Sequence, residues 1–433
     1  MNNRSLFLLL LALATATSVL ANNTLTSVTA SQRWPWNGKV DIDYTLTSNA
    51  TFPVFRVAFK GQIENGPIFV LNNLEGEGAC GIVLGAGVKR ITWDSTVQSE
   101  SRSTVTSDAK FNVIALDVSG TASTYLKLDL SDFTMTPSQN GPNDPTDPND
   151  PPPDTCKTTE IWFKRINQGT FWMGSASNEP KRPDKDAIPE DKHQVTITRP
   201  IYIGMLETTA DQYSRIMNIQ EGRNSKLPRV QVHMADLRGS TYGNTWPEKT
   251  DYRVDDNSFI GTLRQKTKHS LIFDLPTEAA WALAARDKGD GTYAANGDYN
   301  CDGTYHGDYV WNNGVAFYDP NVPSVTNWAT LDAVAWYADP NSQVKEVGTK
   351  APGLNGLYDM HGNAWDYCLD HLLKSLGSSA VTDPVGNYSK SANFCVKGGG
   401  IYKTDTPAHC RMAMRMSKNA RNGNCGVRIA IHY

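Results

Sequence analysis

Short runs of alternating apolar and polar residues fill the chain from Asn22 to about Met135. Residues 40–46 read V-D-I-D-Y-T-L, the period of two that a half-buried strand shows. Residues 54–59, 90–93, 111–116 and 125–130 repeat the theme, separated by Gly, Asn and Ser. Such a series of short strands predicts an immunoglobulin-like β-sandwich over residues 22–135. Residues 136–155 then hold repeated Asn-Pro and Asp-Pro steps. That composition cannot bury a core and favours extended geometry, so a Pro/Asp-rich linker is expected there. A second domain is expected over residues 156–433. Residues 161–166, 193–198 and 201–204 predict strands, and 169–175 a turn into another. Residues 207–217 (ETTADQYSRIM) predict a helix with Thr208 or Thr209 as its N-cap and Tyr213, Ile216 and Met217 as its apolar face. Residues 275–286 (LPTEAAWALAAR) give the clearest helix. Thr277 can cap it, Glu278 sits at the positive end of the dipole, and Trp281, Leu283 and Ala284 form the buried side. Residues 238–270 are polar and show no period.

At 433 residues the chain is long enough for two or more domains. Its net charge of -4, with 20% charged residues, offers no basic face for nucleic acid. The N-terminus fixes the expected compartment. Arg4 precedes an apolar run over 6–14, and Val19-Leu20-Ala21 ends in a small residue before Asn22. This reads as a secretory signal peptide over residues 1–21. The run is too short to predict a membrane span, and no later stretch is long and apolar enough. The mature chain is therefore expected to be secreted, periplasmic or at the cell surface. Its seven cysteines are Cys80, Cys156, Cys301, Cys368, Cys395, Cys410 and Cys425. In an oxidising compartment some should pair, and the odd number leaves at least one over. The last four lie close together in sequence, but spacing alone does not assign a bridge among them.

Candidate chemistry centres on residues 356–368, GLYDMHGNAWDYC. Apolar anchors and glycines interleave there too irregularly for a helix or a plain strand, which predicts a buried turn. Asp359, the carbonyls of Gly362 and Ala364, and Asp366 could converge on one hard cation such as calcium. A turn held by ordinary hydrogen bonds is the alternative. Asp298, Asn300 and Asp302 open a D-x-N-x-D-G stretch, as a calcium loop does, but Tyr309 stands where the bidentate Glu is needed. A plain Asp/Asn/Gly surface turn fits these residues as well. The eight histidines are scattered and form no H-x₃-H. Cys410 lies beside His409, yet neighbours in a strand point to opposite sides, so the pair makes a weak nucleophile and base.

Several blocks in order carry a family resemblance: GTFWMGS at 169–175, IYIGMLETTADQY at 201–213, LPTEAAWALAAR at 275–286 and GLYDMHGNAWDYC at 356–368. The ending adds KGGG at 397–400, CRMAMR at 410–415 and NCGVR at 424–428. Residues 161–430 thus resemble the formylglycine-generating enzyme, or sulfatase-modifying factor, family. The resemblance implies an α+β C-type-lectin-like domain rich in loops, following the all-β sandwich. It also implies a structural calcium at the 356–368 turn, with Asp366 where Glu is usual. The family's enzymes hold Cu(I) on two cysteines just after the GGS element, because thiolates suit that soft ion. Counted from Gly398, the corresponding residues here are Lys403 and Ala408, or Pro407 with a one-residue gap. Cys410 is nearby but has no partner at that spacing, so bound copper and formylglycine formation are not expected. The reading that follows is a non-catalytic binding or surface-interaction module. Its expected ligand face lies between Gly398 and Asn424 and comprises Tyr402, Lys403, Thr404, Asp405 and Thr406, with a protein or glycan as partner. The alternatives are an oxidase or oxygenase with relocated ligands, using Cys410 or a histidine, and a cell-envelope structural component assembled through the sandwich.

Overall fold

The computed structural model describes residues 24–33, 37–62, 66–97, 110–119, 123–144, 150–175, 188–241, 252–287, 334–353, 355–373, 375–385, 393–405, 407–418 and 423–433. Asp298, Asn300, Asp302, Cys301, Tyr309 and Thr406 lie outside them.

The N-terminal region forms two antiparallel sheets. One runs in the order Leu25–Gln32, Lys39–Leu46, Gly87–Asp94, Leu74–Gly76. The other centres on Val54–Gln62, which pairs with Phe69–Val70, Ile82–Leu84 and Lys110–Asp117. The period-two pattern places Ile42, Tyr44, Ile91 and Trp93 of the first sheet in one apolar core with Phe55, Val57 and Phe59 of the second.

The strand at Tyr125–Asp129 departs from expectation. It does not join the sandwich but pairs antiparallel with Glu160–Ile166, with Leu128 opposite Ile161 and Leu126 opposite Phe163. It thereby becomes part of a six-stranded sheet ordered Met135–Ser138, Tyr125–Asp129, Glu160–Ile166, Ile201–Gly204, Ala430–His432, Ile272–Asp274. Alternation reports that one face is buried but not which sheet buries it. The expected boundary at 135 thus falls inside the second domain's sheet. The expected linker also does more than span. Pro137 and Ser138 belong to its edge hairpin, Pro152 is buried, and the Asn143 amide donates to the Tyr358 hydroxyl at 2.7 Å.

The two regions share a core, in which Val54, Cys80 and Ile82 join Leu126, Leu128, Phe163 and Phe273. Polar contacts add to it: Gly76 N–H donates to the Lys268 carbonyl at 2.7 Å, and the Tyr433 hydroxyl to the Phe52 carbonyl at 3.2 Å.

Strands dominate, and the described residues contain four α-helices. Thr209 and Gln212 form a reciprocal capping box at the start of Ala210–Met217, so the helix begins later than residue 207 and Glu207 is left outside it. Thr277 caps Glu278–Arg286 through the Ala280 N–H at 3.1 Å, and that helix is buried on nearly every side. Phe259–Lys266 arises in the stretch that showed no period, and Met234–Arg238 ends where that stretch begins; Phe259 stacks on Tyr213 at 4.7 Å between centroids. No helix among the described residues is long and apolar enough to cross a membrane.

Candidate functional site

The 356–368 turn is buried throughout its described length. Its backbone turns left-handed at Gly356, Asp359, Gly362 and Asn363. Asp and Asn tolerate that geometry better than other residues with a Cβ. At Gly362 a side chain is impossible, since a Cβ would lie 2.1 Å from the Trp336 carbonyl oxygen. The turn then feeds the strand Trp365–His371, whose residues are all buried.

Three acidic side chains surround this turn. Asp366 Oδ2 accepts from Arg428 Nε at 2.8 Å and from Trp281 Nε1 at 2.9 Å. Glu207 accepts from the Ala364 N–H at 2.8 Å and the Asn363 amide at 2.7 Å. Asp359 accepts from the Gly348 N–H at 2.7 Å. Arg428 is wholly buried and also donates to the carbonyls of Gly204 and Tyr358, each at 3.0 Å. One guanidinium therefore fastens a strand end, the turn and the central strand together.

The charges do not balance. Burial, reinforced by Asp359 and Asp366, holds Glu207 well above the ordinary carboxylate range. Burial also pushes Asp359 up to about 6, against the opposing pull of the Gly348 N–H and Arg428. Asp366 Oδ1 is buried without a hydrogen-bond partner. These features fit a hard cation: an orphaned carboxylate oxygen stands where negative charge exceeds positive. No three His, Cys, Asp or Glu side chains among the described residues are grouped to hold a metal. A cation here would need main-chain oxygens as well, as the set of Asp359, Gly362, Ala364 and Asp366 would supply.

The expected ligand face is only partly a surface. Lys403 and Thr404 are exposed and Tyr402 is half-buried. Asp405 is buried and accepts from the Asn424 amide and from the Tyr402 N–H at 3.3 Å, so it shapes the loop from beneath. The loop leans on residues 338–342: Asp339 N–H donates to the Ile401 carbonyl at 2.9 Å, and Lys403 N–H to Ser342 Oγ at 3.1 Å. Pro407 and Ala408 lie in the short 3₁₀ turn Pro407–Cys410. Cys410 is fully buried, and burial raises its thiol far above the usual range. Its carbonyl accepts from His361 Nδ1 at 2.8 Å, while burial pulls His361 down to about 4. The His409 ring sits edge-on to Trp365 at 5.9 Å between centroids.

Residues 150–433 match the family model for the sulfatase-modifying factor enzyme 1-like domain. The chain belongs to this family. No curated protein matches it. Among solved structures, Treponema denticola variable protein 1 is similar at 18% identity, covering 64% of this chain and 96% of that one, with a TM-score of 0.42. PvdO from Pseudomonas aeruginosa shares 17% identity over 63% of this chain and 94% of its own, at a TM-score of 0.43. CarF shares 16% over 62% and 97%, at 0.32.

Within this sulfatase-modifying-factor domain, sequence reasoning missed Glu207, Trp281, Asn363 and Arg428 as parts of the turn's surroundings. Arg428 carried a signal, a charge inside the apolar run Val427 to Ile431. Glu207 carried a weaker one, following directly on the apolar residues 201–206. The copper site of the family's enzymes does not fit the residues here. Lys403 and Ala408 supply no sulfur, and Cys410 is a buried neutral thiol.

Proposed function

We propose that this chain is an exported, non-catalytic member of the family that binds a protein or glycan ligand. Its face is formed by Tyr402, Lys403 and Thr404 with the adjoining turn at 339–343, above a calcium-stabilised 356–368 turn. The observation that carries the reading is the chemistry at the two copper positions: an exposed Lys403 and a half-buried Ala408. A lysine ammonium is no ligand for Cu(I), and an alanine has no donor atom. The surroundings suit recognition instead. An aromatic ring, a cation and hydroxyls stand together on loops braced by a packed core, where binding residues are commonly placed.

The full chain should be incubated with copper, reductant, oxygen and a Cys-x-Pro-x-Arg peptide, beside an active family enzyme. An unchanged peptide mass is expected; conversion of the cysteine to formylglycine would overturn the non-catalytic reading. Screening against glycans and cell-surface proteins, with and without calcium, should then give a ligand whose affinity falls about tenfold or more in Lys403→Ala while the unfolding midpoint holds. A ligand indifferent to Lys403 and Tyr402 would move the face elsewhere.

A further inference from the structure

The strands Trp365–His371 and Phe394–Lys397 run antiparallel, with Asp366 opposite Lys397 and Tyr367 opposite Val396. Cys368 and Cys395 are the residues next to the Tyr367–Val396 pair on the two strands, at the start of the stretch where the register shifts before His371 meets Phe394. Both cysteines are 0% exposed and belong to the same apolar cluster as Trp281 and Leu283. The structure holds both as thiols, close enough that Cys395 helps burial raise the Cys368 thiol. Residues facing each other in an antiparallel ladder have Cα atoms roughly 4.5–5.5 Å apart. A disulfide spans Cα separations of about 4.4–6.8 Å.

We propose that Cys368 and Cys395 form a cross-strand disulfide in the exported chain. The proposal does not depend on the ligand reading, but it does require the oxidising compartment that the N-terminal leader predicts. Two S–H bonds break and one S–S bond forms. The two protons and two electrons pass to a protein or small-molecule disulfide, whose S–S bond breaks to give two thiols. With both sulfurs buried, exchange has to occur before the strands close. The bond then ties the ends of a loop of about 26 residues that carries the exposed stretch 377–380. It also pins the strand that carries Asp366 to the strand that leads into Gly398.

The test is peptide mapping of the full chain secreted through an oxidising compartment, unfolded with an alkylating reagent and no reductant. The expected result is a linked pair of peptides containing Cys368 and Cys395, about two mass units lighter than the two thiol peptides together. Reduction before alkylation should release both. Recovery of Cys368 and Cys395 as separate alkylated peptides would overturn the proposal, as would a bridge from either to another cysteine. The wild-type map decides the matter even if variants fail to fold. As a second measurement, reductant during unfolding should lower the wild-type urea midpoint but not that of Cys368→Ala/Cys395→Ala.

Discussion

Replacing Asp359 with Asn should stabilise the metal-free chain at alkaline pH. Asp359 is buried, and its carboxyl is held at about 6 against an ordinary value of 3.8. A group whose folded pKa is raised contributes stability that is complete below the unfolded pKa and lost as pH climbs through the folded one. A rise of that size corresponds to ~3 kcal/mol lost by pH 8. An Asn side chain is neutral at every pH, has nearly the same shape, and can still accept from the Gly348 N–H. Asp359→Asn should therefore exceed wild type by ~3 kcal/mol at pH 8 in chelator, and by roughly half that at pH 5, where Asp359 is largely protonated in the folded chain. Removing the charge also relieves Glu207, whose carboxyl Asp359 pushes up. Urea unfolding at both pH values, with a chelator and with millimolar calcium, measures the gap directly. Calcium should shrink or reverse it, because the wild type alone keeps the carboxylate. An absent gap at pH 8, or one that fails to narrow at pH 5, would refute the reasoning.

Arg428→Met should lose about 3–5 kcal/mol by denaturant unfolding, because it strands Asp366 uncompensated and frees the carbonyls of Gly204 and Tyr358. Trp281→Phe keeps an aromatic ring but removes the Nε1 donor to Asp366, so ~1–3 kcal/mol should go in the same assay. His361, depressed from 6.5 to about 4 by burial, works opposite to Asp359: the fold weakens as pH falls from 6.5 through 4. His361→Asn should flatten that acid limb, which a pH series of thermal midpoints would show. A chain starting at residue 156 lacks the strand Tyr125–Asp129 and bares its partner Glu160–Ile166. It should unfold at a lower urea midpoint than one starting at 123.

Many of the strands and two of the four described helices were legible in the chain's order of residues, because alternation and capping act over a few positions. Leu126 and Leu128 announced a strand, and Thr277 announced the helix it caps. The ordered blocks from 169 to 428 announced the family. Which sheet receives Tyr125–Asp129 was settled by tertiary packing alone, since a half-buried strand looks alike whichever neighbour covers it. Packing also brought Glu207, Trp281 and Arg428 to partners in the turn that lie at least 62 residues away in sequence. Likewise Asp405 read as a surface residue until Asn424 and Tyr402 closed over it. Hydrogen bonds and burial between distant segments leave little local periodicity, and a charge in an apolar run says that a partner exists without saying which.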